Sequence, residues 1–496
     1  MDRNFKIKAF CLILVLTLLS YSNSFRNQFV WDDEFLIVNN TLIRSFKEIP
    51  RMLSVELFHS YLVKSNYYRP LQVLGYMSDY FFFKLNPAGF HMTNILLHIL
   101  NSILVLALLN LLTKDSFISL VGAILFSLHP AQVEAVTYIS GRADLLLGIF
   151  LLSSLILYLK HSDYTLPKRN YLYLVSLLLF LLSLLSKELA LVLPFVLILS
   201  DFFNKKIQPV KYLPYFAIEI VYLVMRSTII NFTGRNLFSF KDTLIFSPIK
   251  LFKVIITYAK IVILPINLHI GRLLPESLSV GDIILLILFA LVFIICVTIY
   301  NARKRVIYFG IAWFWVVLFF QSNLFLRFFG VHTSEHFLYL PLIGFFLIIG
   351  FLLKRVYEKN KFLGKAILIN LIVFYGLLTF NQNMIWKDPI SLYRWTLKNS
   401  NHNFTIHNNL GLEYEKRGLF QEAMEEFKVA LQFDPNYINS LINLGNVYFK
   451  LGLYKEAQEQ YLKAFQLEPN SALLIKNYQI ISKESINESP KDKNFK

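Results

Sequence analysis

Long apolar runs alternate with short polar connections from the N-terminus to about residue 381. A run of roughly 17–25 apolar residues can cross a bilayer as a helix, and a shorter run can do so inside a helical bundle. The pattern therefore predicts an all-helical, polytopic membrane bundle of about eleven spans. The predicted spans lie near residues 9–25, 92–113, 117–129, 143–159, 171–186, 189–203, 211–230, 283–300, 307–324, 337–353 and 366–381.

Basic residues predict the orientation of these spans. Arg3, Lys6 and Lys8 precede the first run, which favours a cytoplasmic N-terminus. Alternate crossing then brings every strongly basic short loop to the cytoplasmic side, and leaves the loop 26–90 and the C-terminal region on the exoplasmic side. The basic loops contain Lys114, Lys160 to Arg169, Lys205 to Lys211, Arg303 to Arg305, and Lys354 to Lys365.

Two segments leave this topology open. Residues 251–268 are apolar enough to enter the membrane, but a crossing there would reverse everything downstream, so we expect a re-entrant or interfacial segment. The first run, with its basic start and the following "SYSNS", also fits a cleaved signal peptide.

Composition agrees with a polytopic membrane protein. Of 496 residues 56% are hydrophobic and 16% charged, and the mean hydropathy is +0.52. The net charge of +17 resides in loops between apolar runs, so it reflects topology and excludes nucleic acid as a partner. Cys11 and Cys296 both lie in apolar runs, which excludes a disulfide framework.

A 34-residue repeat follows the apolar region, beginning at Asn408 and again at Ile442. Small and aromatic residues recur at this offset in the manner of tetratricopeptide repeats. We expect residues 1–384 to form the membrane domain, residues 385–482 a degenerate repeat, two clear repeats and a capping helix, and residues 483–496 a disordered tail. The matched positions include Leu410 and Leu444, Gly411 and Gly445, Ala423 and Ala457, Phe427 and Tyr461, and Pro435 and Pro469.

Three consecutive acids follow the first span in "FVWDDEFLIVNN", and two of them are candidates for chemistry. Asp32 and Asp33 should lie near the exoplasmic surface, where a lipid-borne substrate presents its head group. Adjacent side chains in an extended segment point in opposite directions, so at most one faces a given site. The alternatives are a solvated acidic turn, or a pair that holds Mg²⁺ or Mn²⁺.

A polar stripe marks the second span, because His91, Asn94, His98 and Asn101 share one helical face. Such side chains must face protein or a water-filled cavity. Hydrogen bonding between helices and contact with substrate both satisfy that requirement.

Cations and acids also cluster at the predicted exoplasmic helix ends. Arginine suits phosphate oxygens through its planar fork, and lysine acts as a point charge. The other interpretation is a charge-balanced surface turn. The cluster comprises Arg69, His129, Glu134, Arg142, Asp144, Lys187 and Glu188.

The segment His332 to His336, "HTSEH", matches the H-x-x-E-H zinc pattern formally. That pattern requires a helix, whereas here it occupies a short loop before an apolar run. We therefore expect no zinc chemistry from it.

Seven motifs together resemble the transmembrane and tetratricopeptide repeat family of protein O-mannosyltransferases in the GT-C superfamily. His336 departs from this resemblance, because the family usually has Arg there. The low number of repeats indicates a short bacterial member, with periplasmic repeats at the inner membrane. The motifs are "FVWDDEFLIVNN", "YYRPL", "GFHMTNILLHILN", "LFSLHPAQVEAVTYISGRADLL", "SKELALVLP", "SEHFLYLP" and the C-terminal repeats.

The resemblance implies transfer of a sugar, usually mannose, from a polyprenyl-phosphate carrier to Ser or Thr of a protein that the repeats could bind. A catalytic acid in the first outward loop would be Asp32 or Asp33. We expect Asp32 to act as general base with Asp33 supporting it, and Arg69, Arg142 and Lys187 to bind phosphate. A polyprenyl-linked glycan ligase or polymerase and a non-enzymatic repeat scaffold are the alternatives. The remaining expected site residues are His91, His129, Glu134, Glu188 and Glu335.

Overall fold

The computed structural model describes residues 2–58, 67–230, 248–272, 304–321 and 333–469, with isolated residues between 280 and 287. The chain divides into two compact units, one formed mainly by the chain up to Lys387 and the other mainly from Asp388 onwards. Within the described ranges every regular element is helical, which confirms the all-helical prediction. The longer helices of the first unit are α1 (Arg3–Tyr21), α2 (Pro70–Phe83), α3 (Pro87–Thr113), α4 (Ser116–Leu128), α5 (Arg142–His161), α6 (Lys168–Leu184), α7 (Leu193–Asn204), α8 (Leu213–Ile230), α9 (Pro248–Ile263), α10 (Lys304–Gln321), α11 (Pro341–Lys359) and α12 (Lys361–Ile385).

Four described helical segments are long and apolar enough to cross a membrane: Arg3–Arg26, Pro87–Thr113, Ile139–His161 and Lys361–Ile385. A fifth crossing is available if α4 and the following Pro130–Val136, which are bent by 56° relative to each other, form one broken span. The bundle is therefore that of a membrane protein.

The remaining predicted spans have a mixed outcome. Those near 171–186, 189–203, 211–230, 307–324 and 337–353 correspond to helices α6, α7, α8, α10 and α11. The span near 283–300 lies outside the described residues. Helix α9 covers the start of the ambiguous segment 251–268 and ends before it does. The total of eleven crossings and their orientation stay predictions.

The polar stripe of α3 makes interhelical hydrogen bonds. The Asn94 side-chain nitrogen donates to the carbonyl of Val136 at 3.1 Å, and that of Asn101 donates to the carbonyl of Leu145 at 2.9 Å. His98 Nδ1 lies 2.9 Å from the Tyr339 hydroxyl. These bonds satisfy polar groups that would be costly in apolar surroundings, so the stripe holds the bundle together.

The second unit contains helix pairs with the predicted 34-residue period. A Cβ added to Gly411 would lie 2.6 Å from the Phe427 ring, and one added to Gly445 would lie 2.9 Å from the Tyr461 ring, so glycine permits each pair to pack closely. A leading helix packs against the first helix of the first pair, and its assignment to a degenerate repeat stays a prediction. Residues 470–496, with the predicted capping helix and tail, lie outside the described residues. The helices are α13 (Pro389–Asn399), α14 (Phe404–Lys416), α15 (Phe420–Phe433), α16 (Ile438–Lys450) and α17 (Tyr454–Leu467).

Candidate functional site

The chain between α1 and α2 begins with short helical turns, and the two candidate aspartates stand at the start of one of them, Glu34–Val38. Trp31, directly before them, has a φ of 53°, in the left-handed region that non-glycine residues rarely adopt. Backbone strain of this kind concentrates at functional sites, where the surrounding structure must hold it in place.

Asp33 is fully enclosed and holds two parts of the chain together. One of its oxygens accepts from the Ser140 backbone N–H at 2.9 Å and from the Ser140 hydroxyl at 2.5 Å. The other accepts from the Val30 N–H at 3.1 Å. Burial raises the pKa of Asp33 to about 7 in spite of these donors.

Asp32 is only half-buried and does not share those bonds. Burial raises its pKa, while the Tyr138 hydroxyl and the Arg69 guanidinium act in the opposite direction. The two neighbouring acids thus have separate environments, and Asp32 is the less enclosed of the two.

Arg69 and Glu188 form an ion pair at the edge of the same region. The Arg69 Nη2 and Nε atoms lie 2.9 and 3.2 Å from Glu188 Oε2. The two side chains keep 15% and 18% of their surface exposed. Arg69 stands before α2 and Glu188 before α7, at helix ends that the sequence assigns to the exoplasmic face.

Lys187 pairs with Asp144, with Nζ 2.6 Å from Oδ1. Gln321, the last residue of α10, donates to the same Asp144 oxygen at 3.3 Å and to the His336 carbonyl at 3.2 Å. Sequence reasoning missed Gln321, although a polar residue at the end of an apolar run was an available signal.

Arg142 occupies a sealed position that differs from that of Arg69. Its Nη2 lies 2.6 Å from Asp79 Oδ2, its Nε donates to Asn94 Oδ1 at 2.9 Å, and none of its side chain is exposed. A phosphate could reach this guanidinium only if the surrounding core opened.

Glu134 binds the segment before α11. Its oxygens lie 3.0 Å from His336 Nδ1 and 2.9 Å from the His336 N–H. Glu335 is buried beside it. His332, the first histidine of the "HTSEH" pattern, lies outside the described residues.

The two other predicted histidines are buried. His129 Nε2 lies 3.3 Å from the Val262 carbonyl, and its Nδ1 accepts from the Ala131 N–H at 3.3 Å, so this ring closes the bend after α4. His91, on α3, is 2% exposed. Both rings are therefore enclosed by protein.

A chelating aspartate pair does not fit the geometry. Asp33 already accepts three hydrogen bonds, which leaves Asp32 as the one carboxylate of the pair open to a cation. Among the described residues, no group of three or more His, Cys, Asp or Glu side chains is arranged to hold a metal ion.

An apolar groove of about 650 Å³ lies between α7, α9 and α10. On α10, the residues that line the groove end at Phe320. The next residue, Gln321, donates a hydrogen bond to Asp144. The groove therefore approaches the lysine and aspartate pair. Its lining includes Phe195, Phe202, Val254, Tyr258, Trp315 and Phe320.

The fold and the site define a polytopic membrane protein with a tetratricopeptide unit. Family models described as "TPR repeat" and "Tetratricopeptide repeat" match residues 411–452 and 438–471. The predicted repeats are thereby confirmed, and the apolar helices of the first unit agree with the predicted helical membrane bundle.

Comparison with known proteins extends this similarity beyond the repeats. Protein O-mannosyl-transferase F38B6.6 of Caenorhabditis elegans is 27% identical over 87% of this chain and 63% of its own length. Human protein O-mannosyl-transferase TMTC3 is 24% identical over 88% of this chain and 52% of its own, and human TMTC4 is 25% identical over 81% and 63%. The chain is homologous to these proteins, which confirms the family resemblance of the motifs. It spans between half and two thirds of the length of these relatives.

Proposed function

We propose that this protein is a membrane glycosyltransferase that moves a sugar, mannose first among the candidates, from a polyprenyl-phosphate carrier to Ser or Thr hydroxyls of proteins on the exoplasmic side. One observation carries the proposal: Asp32, the less enclosed acid of the pair, interacts electrostatically with the Arg69 guanidinium, which interacts in turn with Lys187. The names of the relatives support transfer of mannose to protein.

In the reaction, the acceptor hydroxyl oxygen attacks the anomeric carbon of the donor sugar. The bond from that carbon to the phosphate oxygen breaks, and its electron pair leaves with the phosphate. Asp32 takes the hydroxyl proton, which requires an ionised carboxylate within reach of the acceptor. Arg69 and Lys187 stabilise the charge on the departing phosphate because they are cations held in place before the reaction.

Both cations reach that role by exchanging partners. Arg69 and Lys187 are paired with Glu188 and Asp144 in this structure, and neither side chain is completely enclosed. A phosphate that enters beside them would share or replace those carboxylates. Arg142 has no such freedom, so we assign it to the structure of the bundle and not to phosphate binding.

The apolar groove suits the carrier lipid. An isoprenoid chain in the groove would avoid water along its length. Its phosphate would then emerge near Gln321 and Lys187, which lie beyond the Phe320 end. The orientation required places the N-terminus in the cytoplasm and the repeats outside, in the periplasm if the membrane is a bacterial inner membrane. A protein acceptor would bind to the repeat unit.

The test is sugar transfer in purified membranes supplied with radiolabelled polyprenyl-phosphate mannose, with the Asp32→Asn and Asp33→Asn variants at equal expression. We expect Asp32→Asn to lose roughly 100-fold or more of transfer, because a general base typically contributes 10²–10⁴-fold. Asp33→Asn should lower transfer together with the amount of folded protein. Asp163→Asn, which changes an exposed loop, serves as the matched control.

Two results would count against the proposal. Unchanged transfer by Asp32→Asn would remove the assigned base. If wild-type membranes transfer no label from mannose or from other polyprenyl-phosphate sugars, the protein is not such an enzyme, and the scaffold interpretation becomes the better one.

A further inference from the structure

We propose that Tyr138 is a positioning residue for Asp32: its buried hydroxyl, which is unpartnered in this structure, closes a hydrogen bond on the Asp32 carboxylate when substrate is bound and directs that carboxylate at the acceptor. The part that concerns the acceptor rests on the proposed function. The pairing of Tyr138 with Asp32 does not, and it can be tested without any enzymatic activity.

The ring of Tyr138 contacts two indoles. Its centroid lies 5.3 Å from that of Trp386, with the rings stacked at 28°, and 6.3 Å from that of Trp31, tilted by 31°. These separations lie in the range of attractive aromatic pairs. The phenol therefore has one preferred direction, which positions its hydroxyl before any substrate arrives.

Trp31 and Trp386 are themselves fixed. Trp386 is 2% exposed and follows α12 directly. The carbonyl of Lys387, its neighbour, accepts from the Gln28 N–H at 2.9 Å, which ties the chain before Trp31 to the end of α12. Trp31 keeps its left-handed backbone in this setting, and its ring contact with Tyr138 is one interaction that offsets the strain.

The hydroxyl of Tyr138 is shielded from solvent and has no partner in hydrogen-bond geometry in this structure. Yet it is close enough to Asp32 to lower the pKa of that carboxyl. A buried donor without a partner costs free energy. That cost is explained if the Tyr138 hydroxyl forms a hydrogen bond to Asp32 once substrate has bound. Catalytic hydrogen bonds are often loose without substrate and tighten in the complex.

Ser140, two residues after Tyr138, performs a similar task for the other acid. Ser140 donates twice to Asp33, through its N–H and its hydroxyl. The segment from Tyr138 to Ser140 thus arranges both aspartates: one is locked by short bonds, and the other is oriented by a phenol. Three groups with proton or charge chemistry then interact electrostatically with Asp32, namely Tyr138, Arg69 and Asp33.

The first test compares Tyr138→Phe with wild type. The variant keeps the stacked ring and removes one oxygen. We expect transfer at neutral pH to fall roughly 10- to 100-fold, the range of a lost hydrogen bond to a charged group. The acidic limb of the pH–rate profile should move to higher pH, because Asp32 loses a donor that favours its ionised form. A purely structural role would lower activity without moving that limb.

Tyr158→Phe is the matched control. The Tyr158 hydroxyl also donates to an aspartate, Asp201, at 2.6 Å. Tyr158 lies near the C-terminal end of α5, whereas Tyr138 precedes the N-terminal end of that helix. We expect this variant to leave the pH profile of transfer unchanged. A shift of equal size in both variants would overturn the specific pairing with Asp32.

The second test needs no substrate. Infrared spectra of the full chain in lipid are recorded across pH, and the protonated-carboxyl band that disappears in Asp32→Asn is assigned to Asp32. Its midpoint should lie at higher pH in Tyr138→Phe than in wild type. An unchanged midpoint would overturn the proposal whatever the activity. A shifted midpoint in a protein that transfers no sugar would sustain the pairing and reject the proposed function.

Discussion

Two arginine and carboxylate pairs of the first unit, Arg142 with Asp79 and Arg69 with Glu188, have the same chemistry and opposite surroundings. Their closest nitrogen and oxygen atoms are 2.6 and 2.9 Å apart. In the first pair the side chains are 0% and 6% exposed, and in the second 15% and 18%. The two pairs differ in how far solvent and ligands can reach them, and not in the kinds of charged group that they contain.

Access decides what each pair can do. A sealed ion pair cannot exchange its partner, and removal of one member leaves an uncompensated charge in the core. A partly open pair loses less when it breaks, so an incoming phosphate can compete for the arginine. Asp33 and Asp32 repeat this division between a locked and an available group.

The largest expected effect on folding comes from the sealed pair. Arg142→Met leaves Asp79 buried without its cation and should lower the free energy of unfolding by about 3–5 kcal/mol. The measurement is thermal unfolding of the full chain in detergent. Arg69→Met is the matched variant, and we expect it to cost less than Arg142→Met, because 15% and 18% of the side chains of its pair remain in contact with solvent. Equal losses in the two variants would contradict the division between sealed and open sites.

The next effect is a pH dependence due to Asp33. Its folded-state pKa, about 7, lies above the ordinary 3.8, so its contribution to stability is complete below pH 4 and is lost as the pH rises through 7. The free energy of unfolding should therefore fall between about pH 4 and pH 8, by at most about 4 kcal/mol from this group.

Asp33→Asn cannot titrate, so its unfolding free energy should depend less steeply on pH over that window. The measurement is chemical denaturation in detergent at a series of pH values, with Asp163→Asn as control. Parallel curves for wild type and Asp33→Asn would show that the enclosed carboxyl does not carry the dependence.

The smallest effect on folding, and a specific one on activity, is expected from the open pair. Arg69→Gln should reduce transfer roughly 10- to 100-fold through loss of a charge-assisted bond to phosphate. Arg69→Lys should recover part of that loss, since lysine keeps the charge without the planar fork. Transfer is measured at low and at saturating donor, with the unfolding midpoint as a check. Full activity in Arg69→Gln would exclude this arginine from the donor site.

Much of the fold follows from local pattern. The 34-residue spacing alone predicts helix pairs, and the structure confirms α14 to α17. Within each pair a glycine meets an aromatic ring, and the same contact recurs 34 residues later in the next pair. The run 92–113 likewise predicts α3. Hydropathy alone does not decide whether the shorter helices cross the membrane. A short helix such as α7 need not have the usual spanning length when neighbouring helices bury it.

The sequence by itself determined the elements, the repeat and the set of polar residues available for chemistry, because each depends on spacing along the chain. It could not separate Arg69 from Arg142 or Asp32 from Asp33, since each pair shares one side-chain type. Only the tertiary structure decided which guanidinium is enclosed by Asn94 and Asp79, and which carboxylate is taken by Ser140. Enclosure results from contacts between residues tens to more than a hundred positions apart, and such contacts leave no local signal in the chain.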